Sequence, residues 1–332
     1  MDDVLPIEVY APAARDALDA FGIVAAELKP ISNTENAVFR ATEAETGTLY
    51  AIRLHRPGYH RLEVLEAERR WTEHLAEVGM IVPTGRRTGD GRWYAKVDTP
   101  EADAWRYAGV TLWHRGRTLE TILGDDRGPV AWPWFGRLGG LIAQTHAHSA
   151  DWTVPPGFTR HRLDRDGIVG ETPFWGRFWD SHCFDAAEQD LLAVARALVD
   201  ARLAELERDG AEFGLIHADS HAGNVLVSGE RLGLIDFDDC GFGWFVHDFG
   251  VALYSAWDTP HFAAVKDAFL SGYAAVRALP ADIDAQLDLF LLIRSLMLAG
   301  WRADRPAIMR TTPIDSWKPA LMRRVREALD RA

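Results

Sequence analysis

The sequence has little cysteine and no long hydrophobic run, and each deficit excludes a class of protein. Its 332 residues include only two cysteines, Cys183 and Cys240, and neither lies in a CxxC spacing. That count argues against a disulfide framework and against a structural zinc site. No apolar run approaches the roughly 18 residues that span a membrane, and residues 1–6 carry acid where a secretory signal carries base. We therefore expect a cytoplasmic protein with no membrane partner.

Basic residues are also scarce. The chain has 36 lysines and arginines against 49 aspartates and glutamates, which gives a net charge of −13. A surface of this sign does not favour nucleic acid or anionic lipid, and it is compatible with a cationic or amine-bearing substrate. The length and the 48% hydrophobic content are typical of a globular protein with one large or two medium domains.

Glycine is missing from one loop where it is often abundant. Residues 31–36 read ISNTEN, and strand-like segments follow at residues 37–42 and 49–54, separated by a turn at residues 45–47. A loop, a strand, a turn and a strand are the order of a hairpin that covers nucleotide phosphates, although no GxGxxG pattern is present. Polar backbone groups of such a loop can bind phosphate oxygens.

The most informative stretch is residues 215–240, which read LIHADSHAGNVLVSGERLGLIDFDDC. Short apolar runs predict strands, and a turn at residues 228–230 predicts a hairpin. The fold-back of the chain would let the polar groups of Asp219, Asn224 and Asp236 converge. Few oxygen ligands with room for water and phosphate suit Mg²⁺ better than zinc or copper. A carboxylate outside the ligand set could orient or deprotonate a hydroxyl group.

This stretch resembles a known signature. His217 to Asn224 matches HxDxxxxN, and residues 236–238 match the DFD motif of aminoglycoside phosphotransferases and of related choline and homoserine kinases. The resemblance implies an α+β, two-lobed protein-kinase-like fold, with a small antiparallel-sheet N-terminal lobe and a larger, mainly helical C-terminal lobe. It implies that Asp219 is the catalytic base, and that Asn224 and Asp236 hold Mg²⁺ on the phosphates of ATP, with GTP as a possible alternative.

The same resemblance extends to the N-terminal part. It implies that Ser32, Asn33 and Asn36 contribute to the phosphate-covering loop, and that Arg53 stands where the fold usually has a strand lysine. On the helix predicted for residues 61–78, Glu68 lies on the apolar stripe and would carry a buried charge that requires a partner. We expect Arg53 to be that partner. The pair either positions the phosphates or only holds the helix to the sheet.

The resemblance also divides the chain. It implies a nucleotide-binding lobe at residues 1–110, a linker at residues 111–118 and a catalytic lobe at residues 119–332. The backbone of Leu112 and His114 would bind adenine, unless the linker is a plain surface connection. Residues 150–183 have no sustained periodicity, and they form either a substrate-covering segment or a flexible surface loop. His146 lies on an apolar helical stripe, which indicates a core histidine.

The function predicted from these residues is transfer of the γ-phosphoryl group of ATP to a hydroxyl of a small molecule, such as an aminoglycoside, an amino alcohol or a homoserine-like acceptor. Two alternatives stay open, a Ser/Thr protein kinase and a non-catalytic nucleotide-binding regulator. Within the motifs, His217 is interpreted as a structural histidine, and Asp238 and Asp239 as either functional residues or solvated turn residues.

Overall fold

The structure is a computed structural model, and it describes residues 5–33, 36–100, 104–305, 309 and 312–331. The acidic start of the chain at residues 1–4 and residues 34 and 35 of the predicted phosphate-covering loop lie outside this part. Within the described ranges, every helix is too short or too polar to cross a lipid bilayer.

Most strands lie in the first half of the chain or between residues 213 and 244, and the described part after residue 245 is helical. The helices are α1 (Ala11–Ala20), α2 (Leu62–Glu77), α3 (Leu119–Leu123), α4 (Trp132–Asp151), α5 (Arg165–Val169), α6 (Ala186–Arg208), α7 (Phe245–Leu253), α8 (Phe262–Ala274), α9 (Ile283–Ala303) and α10 (Lys318–Asp330). The strands are β1 (Ala25–Asn33), β2 (Ala37–Glu43), β3 (Leu49–Leu54), β4 (Tyr94–Asp98), β5 (Trp105–Leu112), β6 (Arg117–Thr118), β7 (Arg162–Leu163), β8 (Phe213–Ile216), β9 (Val225–Ser228), β10 (Arg231–Leu234) and β11 (Gly241–Trp244).

The chain forms two compact units. The first, here called the sheet unit, contains Met1–Arg117, Val154–Thr159 and Ser228–Asp238, and the remainder forms the helical unit. The units therefore differ from the contiguous lobes expected from the sequence, because the DFD segment belongs to the sheet unit. Within that unit Leu234 donates a backbone hydrogen bond to Ile81, and the two chain segments pack there.

The sheet unit is built on one antiparallel sheet with the strand order β1-β2-β3-β5-β4. Alternate residues of β2, such as Phe39 and Ala41, are buried, which is the period expected of a strand with one covered face. Helix α1 covers that face with Ala14, Ala17 and Leu18. The helix ends at Ala20, and the chain turns at Gly22, whose φ of 65° falls in the left-handed region that glycine adopts without strain.

Part of the loop predicted at residues 31–36 is a strand. Ser32 and Asn33 belong to β1, where they pair with Val38 and Ala37 of β2. Strand β1 is at the edge of the sheet, so small polar residues can face water there while their backbone remains in the ladder. Asn33 is further tied by a 2.7 Å hydrogen bond from its side chain to the carbonyl of Leu5. The prediction of a loop over residues 31–33 is therefore wrong.

The helical unit is built around α4, α7, α8 and α9. Helix α4 packs closely on α8, where an added Cβ at Gly139 would clash with the carbonyl oxygen of Phe269. Helix α7 packs on α9 in the same way, since a Cβ at Gly250 would lie 2.7 Å from the oxygen of Phe290. A small sheet with the order β7-β11-β8 lies beside them. A small antiparallel-sheet unit and a larger, mainly helical unit confirm the predicted fold class.

Residues 150–183 are more ordered than their sequence indicated. They contain β7, α5 and a short 3-10 helix at Phe178–Asp180. Trp175 and Trp179 are buried, so this part of the segment packs into the helical unit rather than forming a surface loop. His146 is fully buried, which confirms that it is a core histidine.

Candidate active site

The loop after β8 is held in place through its backbone. Ala218 has a φ of 65°, a conformation that costs a residue with a Cβ about 1 kcal/mol or more. The amide of Ala218 donates a 2.8 Å hydrogen bond to one carboxylate oxygen of Asp248, and the amide of His217 donates a 3.0 Å bond to the other. Asp248 belongs to α7, so the first turn of that helix fixes the loop in its strained form.

Asp248 is completely buried and is compensated by a second group. His146 on α4 lies 3.1 Å from Asp248 Oδ2 through its Nε2 and 3.0 Å from the hydroxyl of Tyr273 through its Nδ1. Burial alone raises the pKa of Asp248, but the hydrogen bond and charge of His146 outweigh it and lower that pKa. His146 therefore compensates the buried carboxylate that anchors the loop.

The side chain of Asp219 projects from this loop and is held at both oxygens. Arg294 Nη2 donates a 2.7 Å hydrogen bond to Oδ1, and Asn224 Nδ2 donates a 2.9 Å bond to Oδ2. His221 Nε2 lies 3.5 Å from Oδ2. Burial raises the pKa of Asp219, but Arg294, His221 and His217 together hold it below its usual range. Asp219 is thus an ionised acceptor in a defined orientation.

Asn224 supplies one candidate metal ligand. Its amide nitrogen donates to the carbonyl and to the carboxylate of Asp219, at 2.9 Å each. The side-chain amide oxygen of Asn224 is not used in these two hydrogen bonds, and hard cations prefer oxygen ligands of this type. Within the described ranges, no group of three or more His, Cys, Asp or Glu residues could hold a metal ion. A cation with one amide and one carboxylate ligand, completed by phosphate and water, needs no such group.

The DFD segment lies in the sheet unit, next to the arginine of β3. Asp236 has a φ of 64°, and among the described residues it and Ala218 are the non-glycine residues with a positive φ. Arg53 Nη2 donates a 2.6 Å hydrogen bond to Asp236 Oδ1. The Asp236 side chain is 46% exposed, so the carboxylate remains accessible to a cation. Phe237 is buried edge-on against Trp71 of α2, which anchors the segment.

Asp238 connects this segment to the first hairpin. Its Oδ2 accepts a 2.9 Å hydrogen bond from Asn36 Nδ2, and its Oδ1 lies 3.5 Å from Arg53 and 3.7 Å from His55. Burial raises the pKa of Asp238, but His55 and Arg53 hold it well below its usual range. The side chain is buried, so the interpretation of Asp238 as a solvated turn residue is wrong.

Glu68 is buried, as its helical phase predicted, but the expected partner is engaged elsewhere. Its Oε2 has no hydrogen-bond partner among the described residues. Arg53 forms its ion pairs with Asp236 and Asp238, because the DFD segment brings two carboxylates to its guanidinium. Burial lowers the pKa of Arg53, but the charges of those aspartates and of Glu68 raise it above its usual value. The predicted Arg53–Glu68 ion pair is absent from the described contacts.

The predicted linker residues lie at the end of β5. The amide of Leu112 donates a 2.9 Å hydrogen bond to the carbonyl of Thr84. The ring of His114 bonds to the carbonyl of Val82 at 2.8 Å, which fixes the side chain.

The structure therefore brings the predicted residues into two groups. Asn36, Arg53 and Asp236 meet in the sheet unit, and Asp219 and Asn224 meet in the helical unit. Sequence reasoning missed Arg294. A signal for it was present, because it is a lone charge inside the apolar run FLLIRSLML of α9, and a charge in such a run requires a partner.

Comparisons with known proteins agree with this geometry. The sequence model of the phosphotransferase enzyme family matches residues 27–283. The chain is 40% identical over 246 residues to amicoumacin kinase of Bacillus subtilis (strain 168), covering 72% of this chain and 66% of that one. It is 29% identical over 152 residues to homoserine kinase of Neisseria meningitidis serogroup B, covering 43% and 45%. A solved structure of a microcompartment-associated aminopropanol kinase superposes with a TM-score of 0.78 at 30% identity, covering 96% of this chain and 98% of that one. The kinase-like fold expected from the motifs is confirmed.

Proposed function

This chain belongs to the phosphotransferase enzyme family, and we propose that it moves the γ-phosphoryl group of ATP to a hydroxyl of a small hydroxylated amine or amino acid. It is an ATP-dependent kinase of small molecules. The observation that carries the proposal is the side chain of Asp219, whose two oxygens are held by Arg294 and Asn224 on a loop anchored by Asp248.

Asp219 is the proposed acceptor for the hydrogen of the attacking hydroxyl. Because its carboxylate is ionised and fixed, it can orient the hydroxyl oxygen toward phosphorus and take the proton as the new bond forms. Each carboxylate oxygen carries two lone pairs. The hydrogen bonds from Arg294 and Asn224 therefore leave Asp219 able to accept a further hydrogen bond. Positioning of this kind is the main contribution a protein makes to phosphoryl transfer.

The sheet unit supplies the proposed nucleotide-binding groups. We assign Arg53 to the binding of the phosphates. Glu68 is the proposed ion-pair partner of Arg53 when Asp236 binds the metal. Asn36 is held by Asp238 and by the amide of Arg56, and it orders the start of β2 beside the phosphate-covering turn. Backbone groups of Ser32 and Asn33 remain proposed phosphate contacts. Those of Leu112 and His114 remain proposed adenine contacts.

The proposed metal ligands are Asn224 and Asp236, and the metal is Mg²⁺. The donor set fits, because the amide orientation of Asn224 leaves an oxygen and the carboxylate of Asp236 is half exposed. A bound Mg²⁺ would neutralise phosphate charge. Arg53 and Asp236 pair directly, so the proposed phosphate-binding group and the proposed metal ligand are adjacent.

The acceptor class rests on the relatives and on charge. Aminopropanol and homoserine, named for two relatives, are both small molecules that carry a hydroxyl and an amino group. The net charge of −13 favours an amine-bearing acceptor over a nucleic acid or a membrane surface. We place the reaction in the cytoplasm, where the two buried cysteines stay reduced.

The test is ADP release that depends on Mg²⁺, with ATP or GTP and a panel of amino alcohols, hydroxy amino acids, aminoglycosides, sugars and a protein substrate. We expect one small-molecule class to raise release in the wild type and Asp219→Asn to lower kcat by several orders of magnitude while ATP still binds. Turnover that persists in Asp219→Asn would remove this residue from its proposed role. Phosphorylation of the protein substrate alone would contradict the acceptor class.

A further inference from the structure

Helix α9 carries one charge within a buried apolar run. The helix is buried from Phe290 to Met297, and Arg294 lies in the middle of that stretch with 8% of its side chain exposed. Its guanidinium lies over the ring of Trp175 at 4.7 Å from the ring centre. An arginine is costly in such surroundings unless its charge is compensated.

The compensation comes from Asp219. The 2.7 Å bond from Nη2 to Asp219 Oδ1 is the ion pair that the described residues provide for Arg294. A hydrogen bond of this length between two charged groups is stronger than one between neutral groups. The buried helix therefore holds the guanidinium, and the guanidinium in turn holds one oxygen of the proposed catalytic carboxylate.

The two oxygens of Asp219 depend on different parts of the fold. Oδ2 is held locally by Asn224, five residues along the same loop, with His221 at 3.5 Å. Oδ1 is held by a residue 75 positions away. With the Asn224 bond alone, the carboxylate plane could still rotate about the remaining contact. Arg294 removes that freedom.

We propose that Arg294 is a positioning residue for phosphoryl transfer, which fixes the carboxylate of Asp219 in the orientation that receives the acceptor hydroxyl. The inference rests on the proposed function, since it gives Asp219 the role of acceptor. Two packed helices then control the loop at two levels. Helix α7 holds its backbone through Asp248, and α9 holds its side chain through Arg294. A misplacement of about 1 Å in such a group can lower turnover roughly a hundred-fold.

Arg324 is a matched control that separates a positioning role from the loss of a buried charge. Arg324 on α10 is also 8% exposed, bonds a carboxylate, that of Asp258, at 2.7 Å, and lies 4.3 Å from the ring centre of Trp257. It differs in its partner, which has no proposed role in the reaction. Arg324 also donates hydrogen bonds to the hydroxyls of Tyr254 and Ser295. Loss of either arginine removes a buried guanidinium and its ion pair, so both variants should lose stability.

The experiment compares Arg294→Ala with Arg324→Ala in the full chain, with the best acceptor from the panel. We expect Arg294→Ala to lower kcat at least thirty-fold with the KM for ATP changed less than three-fold, whereas Arg324→Ala keeps kcat within three-fold. Ethylguanidinium at millimolar concentration should restore part of the kcat of Arg294→Ala, because a free guanidinium can enter the space left beside Asp219. It should not affect Arg324→Ala.

Each outcome supports or overturns the positioning role of Arg294. A normal kcat for Arg294→Ala, or equal losses and no rescue in both variants, overturns the positioning role. If Arg294→Ala does not fold, Arg294→Lys and Arg324→Lys carry the same comparison, because lysine keeps the charge and loses the planar fork. An inactive wild type would instead contradict the proposed function. Active wild-type enzyme with indistinguishable variants would contradict only this inference.

Discussion

Arg53 and Asp236 form a 2.6 Å ion pair between β3 and the DFD segment of the sheet unit. One of these residues is proposed to bind phosphate and the other to bind metal. In this ion pair each charge neutralises the other. Phosphate at Arg53 and metal at Asp236 would each compete with the pair, so we expect their binding to be mutually dependent.

Replacement of Arg53 by Met should weaken use of ATP. The loss of charge-assisted contacts to phosphate, worth roughly 1.5–3 kcal/mol, predicts a rise in the KM for ATP of about ten- to a hundred-fold. Steady-state kinetics with ATP as the varied substrate measure it. Arg40→Met on the neighbouring strand β2 is the control, since Arg40 pairs with exposed Glu27 at 3.8 Å. Equal KM values for the two variants would exclude Arg53 from phosphate binding.

Replacement of Glu68 by Gln should separate stability from activity. Glu68 is a buried acid with an unpaired Oε2 among the described residues, so its neutralisation should leave the thermal midpoint unchanged or raise it. If Glu68 receives Arg53 once nucleotide binds, the same change should lower kcat/KM for ATP at least ten-fold. Exposed Glu63→Gln on the same helix should change neither quantity. A loss of stability without a loss of kcat/KM would reduce Glu68 to a structural residue.

Replacement of Asp236 by Asn should raise the requirement for Mg²⁺. The variant loses a charged ligand, and we expect the Mg²⁺ concentration for half-maximal activity to rise more than ten-fold, while EDTA abolishes activity of the wild type. Titration of MgCl₂ at fixed free ATP measures it. An unchanged Mg²⁺ dependence in Asp236→Asn would assign the metal to other ligands.

Replacement of Asp248 by Asn should destabilise the fold and the catalytic loop together. The new amide group would face the N–H groups of His217 and Ala218 and leave His146 without its carboxylate. Loss of one partner of a buried pair costs about 3–5 kcal/mol, which urea unfolding can measure. Asp200→Asn removes a half-exposed ion pair with Arg165 and should cost no more than about 1 kcal/mol. A similar cost for both variants would contradict the anchoring role of Asp248.

Histidine 247 should make the stability of the fold dependent on pH. Burial lowers the pKa of His247 from 6.5 to about 4. Between these values the unfolded chain takes up a proton that the folded chain does not, so the free energy of unfolding falls as pH decreases from 6.5 to about 4. The full effect is on the order of 3 kcal/mol. In His247→Asn, urea unfolding across this window should show a correspondingly smaller pH dependence, and an identical slope would exclude His247.

Local sequence was sufficient for many of the elements and for the motif residues. The periodicity of residues 61–78 predicted α2 and the inward phase of Glu68, and the HxDxxxxN and DFD spacing identified the loop that carries Asp219 and Asn224. These features depend on residues within a few turns of one another, and local sequence determines them because backbone geometry repeats at 3.6 or 2 residues. The edge strand β1 was missed at Ser32 and Asn33, because polar residues in a strand are indistinguishable from a loop without knowledge of the neighbouring strand.

The ion pairs were decided by tertiary structure alone. Arg53 was expected to pair with Glu68, 15 residues away, and it pairs with Asp236, 183 residues away, because the fold brings two further carboxylates to the same guanidinium. Arg294 reaches Asp219 across 75 residues for the same reason. A sequence indicates that a buried charge needs a partner, since an uncompensated charge is costly. Which partner it receives depends on which chain segments the packing of the helices and the sheet brings within 3 Å.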